Sequence, residues 1–200
     1  MSSFVRFSTH NLTKPAAVLF VAAVMGLVFS SSTVFSGGKN KGRGRSSEKR
    51  PAVFFVTHAP VETILTTPGS AGHSLGDERV LPATPIFDED GIEVGRLDAE
   101  LLTSSVDYPS AGDEIRMSRL NFVFGEGDQH FSGSADQILV SGSGYYPGDQ
   151  STIATGTALV RPVVGGSGAF HGVSGSALTE HLQDGSWRHT FQLEFPDYDR

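Results

Sequence analysis

Trp187, His189, Phe191, Leu193 and Phe195 alternate with Arg188, Thr190, Gln192 and Glu194 near the end of the chain. An aromatic face holding one imidazole can stack on an unsaturated guest and donate a hydrogen bond to its carbonyl. A core tryptophan and a satisfied histidine are the structural alternatives. Gln137 shares an every-second-residue row with Phe131, Gly133, Ala135 and Leu139, and a lone amide on an apolar row reads as a ligand contact. Arg116 shares a row with Leu120, Phe122 and Phe124, which makes it an anion-binding candidate or a salt bridge at a rim. Tyr145 and Tyr146 fall in a predicted loop before Pro147, where they could cap a cavity mouth. These groups, with Phe122, Phe124, Phe131 and Phe191 as walls, suit an apolar, unsaturated guest. Holding a flexible guest in one reactive shape contributes up to about 7–11 kcal/mol, and a donor at a developing negative oxygen adds to that.

Other chemistries find little support. The chain has no Cys, so thiol nucleophiles, disulfides and thiolate metal sites are excluded. Residues 51–200 hold no Lys, which excludes a lysine Schiff base there. His130, His171, His181 and His189 are spread over three predicted strands without metal-ligand spacing, and no GxSxG elbow occurs. No cofactor is therefore expected. The acids of "DEDG" (88–91) sit in a predicted turn, where solvation explains them. Residues 51–200 carry seven Arg against 21 acids, a balance of −14 that disfavours nucleic-acid binding.

The elements that must position these side chains read as strands. The composition is rich in Gly, Val, Thr and Phe, and the period is two rather than 3.6. Strands are predicted at 53–66 (broken near Pro60), 79–88, 92–105, 114–127, 129–144, 151–164, 169–182 and 186–195. Eight short strands with turn signals suggest a sandwich or a barrel. "GRLDAELLT" places Gly95, Leu97, Ala99 and Leu101 on one face and Arg96, Asp98 and Glu100 on the other. One dry and one wet face allow an all-β, eight-stranded antiparallel closed barrel around a small guest. "VVGGSGAF" (163–170) looks at first like a phosphate loop, but the next residues read as a strand instead of the helix such a loop requires. A hairpin is expected, with Gly172 and Gly175 letting the strand bend.

The first fifty residues differ in kind. They carry eight basic residues against Glu48 alone, a balance of +7. Ala16–Phe29 is unbroken apolar sequence that extends to Phe35 if Ser30–Thr33 are tolerated, near the roughly 20 residues of a spanning helix. Six basic residues follow it and two precede it, which favours an uncleaved anchor with the C-terminal domain facing the cytoplasm. A cleaved secretory signal is the alternative. The domain plan is a hydrophobic segment at 1–36, a basic flexible linker at 37–52 and the barrel at 53–200.

The order of short motifs adds a resemblance. "SLGD" (74–77), "IFDEDGIEVGRLDAELLT" (86–103), "LNFVFGEGDQHFSGSADQI" (120–138) and "VVGGSGAFHGVSGSAL" (163–178) follow one another as in the allene oxide cyclase and dirigent barrels. The chain resembles that superfamily over about residues 61–195. The resemblance implies an eight-stranded barrel with a ligand inside. It also implies kinship with bacterial polyketide cyclases, some of which close rings by [4+2] cycloaddition. In the plant enzymes, a glutamate and a cysteine are thought to serve an epoxide isomerisation. By position the glutamate matches Glu62, a candidate base, while the cysteine position falls near Leu101, so half of that pair is missing. The resulting expectation is a cofactor-independent [4+2] cyclase of a polyketide-derived polyene, with Gln137, His189 and Glu62 as catalytic candidates. A dirigent-like barrel that steers a hydrophobic ligand without acid/base chemistry, and a structural β domain with a filled core, are the alternatives. The expected partners are a hydrophobic small molecule and, through residues 1–36, a membrane; a homodimer is left open.

Overall fold

The structure is a computed structural model describing residues 52–67, 72–130 and 136–196. The apolar segment, the basic linker and Phe131 lie outside the described residues. Among those described, no helix is long and apolar enough to cross a membrane. The strands are β1 (Ala52–His58), β2 (Ile64–Leu65), β3 (Glu78–Phe87), β4 (Glu93–Val106), β5 (Asp113–Phe124), β6 (Gln137–Pro147), β7 (Ala158–Ser167), β8 (Ser174–His181) and β9 (Trp187–Glu194). From β3 to β9 each strand pairs antiparallel with the next, and β9 pairs with β1 from His58↔Trp187 to Ala52↔Leu193. Closure comes from Thr57↔Phe87, between β1 and β3.

β1 and β2 are one wall strand with a gap. Thr57 faces Phe87 and Ile64 faces Val80, so seven steps forward along one strand match seven back along the other. Residues 58–63 keep that register without forming a ladder. Pro60 on one side and Pro82 and Pro85 on the other have no N–H to donate. A register shift of β3 against β4 between Leu81 and Thr84 adds to the irregularity. The result is a closed eight-stranded barrel with a seam beside β3.

Several strand ends differ from those predicted. β5 stops at Phe124, and a 3₁₀ turn at Gly127–His130 stands where a strand from 129 was expected. The glycines at 125 and 127 favour the turn over the apolar alternation. β6 begins only at Gln137 and runs through Tyr145 and Tyr146 to Pro147, so both tyrosines stand on a strand instead of in a loop. β7 begins at Ala158, leaving 151–157 as a connection. Gly165 and Gly166 lie inside β7, and a single 3₁₀ turn at Gly168–Phe170 leads towards β8. Gly175, at φ 137°, is where β8 crosses β9 so closely that a Cβ would run into the Gln192 carbonyl.

The interior has two halves. At one end Phe54, Phe124, Phe170 and Phe191 interlock, with Phe54 and Phe191 stacked at 5.0 Å and Phe124 and Phe170 at 5.1 Å. Ile86, Leu97, Phe122, Ile138, Val140 and Leu193 complete this core. Burying each such side chain contributes about 1.5–3 kcal/mol. Towards the other end a smaller cluster of Leu101, Tyr146, Ile153 and Trp187 leaves space between the walls.

Candidate active site

The space is a cavity walled by Leu81, Leu97, Ala99, Leu101, Leu120, Ile153 and Trp187, with polar groups from His58, Tyr146, Arg161, Thr179 and His189. Val61 and Thr63, from the gap in the first strand, also line it. The cavity holds about 60 Å³ within a void of about 510 Å³ that includes its open mouth. That room suits a small group, so a longer guest must part the walls or extend through the mouth.

Strand alternation builds this lining. β9 sends Trp187 and His189 inward, β1 sends His58, and β4 sends Leu97, Ala99 and Leu101. The rings form a stack. His181 lies 4.2 Å from Trp187 at 3°, His58 lies 6.0 Å from Trp187 on its partner strand, and His58 lies 5.3 Å from His189. His58 and His181 donate from Nδ1 to the Ala59 and Ile153 carbonyls, both at 2.8 Å. His189 Nδ1 meets Thr179 Oγ1 at 3.1 Å, and Nε2 has no hydrogen-bond partner among the described residues. Burial, reinforced by the charges of His58 and Arg161, holds the His189 pKa well below the imidazole value of 6.5. Burial likewise lowers the pKa of His58. His189 is therefore neutral at pH 7, and its ring can donate or accept but not supply a charge.

Arg161 supplies the charge. It is 3% exposed on β7, donating from Nε to Ser118 Oγ and from Nη2 to Tyr146 Oη, each at 2.7 Å. The Arg116 guanidinium also packs on Tyr146, 4.8 Å from the ring centroid. Arg116 belongs to a separate buried knot around Glu114, both residues being fully buried. Glu114 accepts from Arg116 Nε at 2.6 Å and Thr103 Oγ1 at 3.0 Å, and its other oxygen meets His73 Nδ1 at 2.7 Å. Arg116 also donates to the carbonyls of Gln150 and Ser151. Burial alone would raise the Glu114 carboxyl, but the bonds from Arg116 and His73 outweigh it and hold the carboxyl below its usual value.

The residues singled out by type and spacing end up in different places. Trp187, His189, Leu101 and Tyr146 line the cavity. Phe124 and Phe191 belong to the aromatic core, as does Phe122, whose ring stands edge-on to His189 at 4.9 Å. Arg116 is locked in the Glu114 knot, deeper than the rim bridge expected of it. Tyr145 is exposed and donates to Asp113 at 2.6 Å. Glu62 is exposed between the two lining residues Val61 and Thr63. Gln137 is half-buried and sits on the other row of β6; Ile138 and Val140 are the residues that enter the core. Phe131 lies outside the described residues. Among the lining residues that escape a reading by residue type are Arg161 and His58, although each continues an inward row: Arg161 with Val163, and His58 with Phe54 and Val56. Among the described residues, no group of His, Asp and Glu could hold a metal ion.

No family model matches the chain, and no curated protein matches it by sequence. Solved structures do match it in shape. Pyocyanin demethylase superposes with a TM-score of 0.52 at 14% identity, over 72% of this chain and 100% of that one. The Diels–Alderase AbmU from Streptomyces koyangensis gives 0.50 at 18%, over 76% and 72%. A heme-binding cyclase that catalyses [4 + 2] cycloaddition during neoabyssomicin biosynthesis gives 0.50 at 15%, over 73% of this chain and 65% of that one. The fold is one that Diels–Alderases share. The barrel read from motif order over 61–195 is thus met in three dimensions, with Diels–Alderase barrels as neighbours at an identity that speaks to fold alone.

Proposed function

We propose that this Diels–Alderase-like barrel is a cofactor-independent cyclase that folds a polyketide-derived polyene in its cavity and closes a ring by intramolecular [4+2] cycloaddition. The observation that carries this reading is the lining: hydrocarbon walls, a stacking tryptophan, and two buried nitrogens without a hydrogen-bond partner among the described residues, His189 Nε2 and Arg161 Nη1. None of the described lining residues is a carboxylate, which favours conformational steering plus hydrogen bonding over base-driven isomerisation. The same feature supports the second reading, a barrel that steers coupling of a bound guest without lowering its barrier. Incubating the protein with a linear polyene that bears a diene and an activated alkene separates the two. A faster reaction with one dominant stereoisomer is expected; an unchanged rate with altered stereochemistry would leave only the steering role, and an unchanged rate and isomer ratio would remove both.

Residues 1–36 are proposed to hold the barrel at the cytoplasmic face of a membrane, with the basic linker against anionic lipid. Retention of the full chain in carbonate-washed membranes would support this, whereas a soluble chain lacking its first residues would replace it with secretion.

A further inference from the structure

Three arginines are buried among the described residues of the barrel, and their surroundings differ. Arg116 and Arg79 share Glu114, whose Oε2 lies 2.6 Å from the first and 3.8 Å from the second. Arg161 has no carboxylate within 4.0 Å among the described residues; its two bonds go to the neutral hydroxyls of Ser118 and Tyr146. Its Nη1 has no hydrogen-bond partner among the described residues, and the residue lies on the cavity wall. A lone charge removed from water is costly unless something pairs with it. The nearby imidazole cannot, because His189 is neutral and a cation there would add repulsion. A guanidinium presents parallel N–H groups that match a carboxylate, and such a bond strengthens inside a dry wall.

The geometry points to a guest that carries a carboxylate, held by Arg161 while its unsaturated chain lies against Trp187. This rests on the cavity being the binding site and adds the chemical class of the molecule bound there.

Trp187 is the only tryptophan in the chain and lines the cavity, so its fluorescence reports occupancy. The probes are sorbate (2,4-hexadienoate) and its neutral amide, titrated into the full chain. Sorbate should bind at least about tenfold more tightly than the amide. Arg161→Met should abolish that preference while the amide still binds. Arg161→Lys, which keeps the charge and guards against a folding defect in the first variant, should retain part of it. Equal binding of acid and amide to the wild type, or a preference that survives in Arg161→Met, would overturn the role of Arg161 and leave the cyclase reading standing. If neither probe quenches Trp187, the cavity does not take guests, and both readings fall.

Discussion

The chemistry of the cavity rests on two side chains in opposite states, a neutral imidazole and a permanent cation. His189 stays unprotonated because burial disfavours its charged form. Cyclisation should therefore show no inflection near pH 6.5, the ordinary imidazole value. Replacing His189 by Phe keeps the ring stack and removes the donor; kcat should fall by about 10²-fold. Stopped-flow assays of the polyene reaction would check both, and an unchanged kcat in His189→Phe would remove the residue from catalysis. Legibility is uneven at this scale. Trp187 and His189 can be read because β9 alternates cleanly between apolar and polar residues. Gln137 is misplaced by sequence because the run from Ile138 to Val140 is apolar on both rows, so parity gives no answer there. Arg161 is invisible for a similar reason. Val163 and Val164 are both apolar, and a buried arginine looks like an exposed one when only residue types are known.

At the level of strands, the closure is uneven. Pairing between β4 and β5 runs over most of both strands, whereas the first strand touches β3 through Thr57, Ile64 and Leu65. Amides of Ala59 and residues 61–63 should exchange with deuterated water far sooner than those of β5 and β6, because local opening there breaks no ladder. Equal protection across these segments would contradict the seam. The approach of β8 to β9 makes the opposite demand. Gly175→Ala places a methyl against the Gln192 carbonyl at a φ that side chains avoid, and is expected to cost about 2–4 kcal/mol, read from denaturant melts. The number of wall strands is readable because turn signals recur at regular spacing. Their ends around 125–136 are not, since glycine-rich alternation there describes a turn as well as a strand.

Over the whole molecule, stability should depend on pH through two opposed limbs. His58 and His189 have lowered values, so the unfolded chain takes up protons that the fold refuses; their effect is to weaken the protein as pH drops below 6.5. His73 has a raised value, first because of its bond to Glu114, so its contribution is complete below 6.5 and is lost as pH climbs through its folded value. Thermal melts of wild type and His73→Gln should differ at pH 6 and converge towards pH 9. A constant gap would show that His73 acts by packing alone. Neither limb is legible in the sequence, because the Glu114 knot joins His73, Thr103 and Arg116 from separate segments.

The seam also says where this barrel can change. Residues 59–63 supply two lining side chains, Val61 and Thr63, but hold no rung of the wall, so these side chains are decoupled from the sheet that keeps the protein folded. Diversifying Val61 and Thr63 should alter which molecules are accepted while leaving the melting temperature nearly fixed, a separation of selectivity from folding that the laddered walls do not offer.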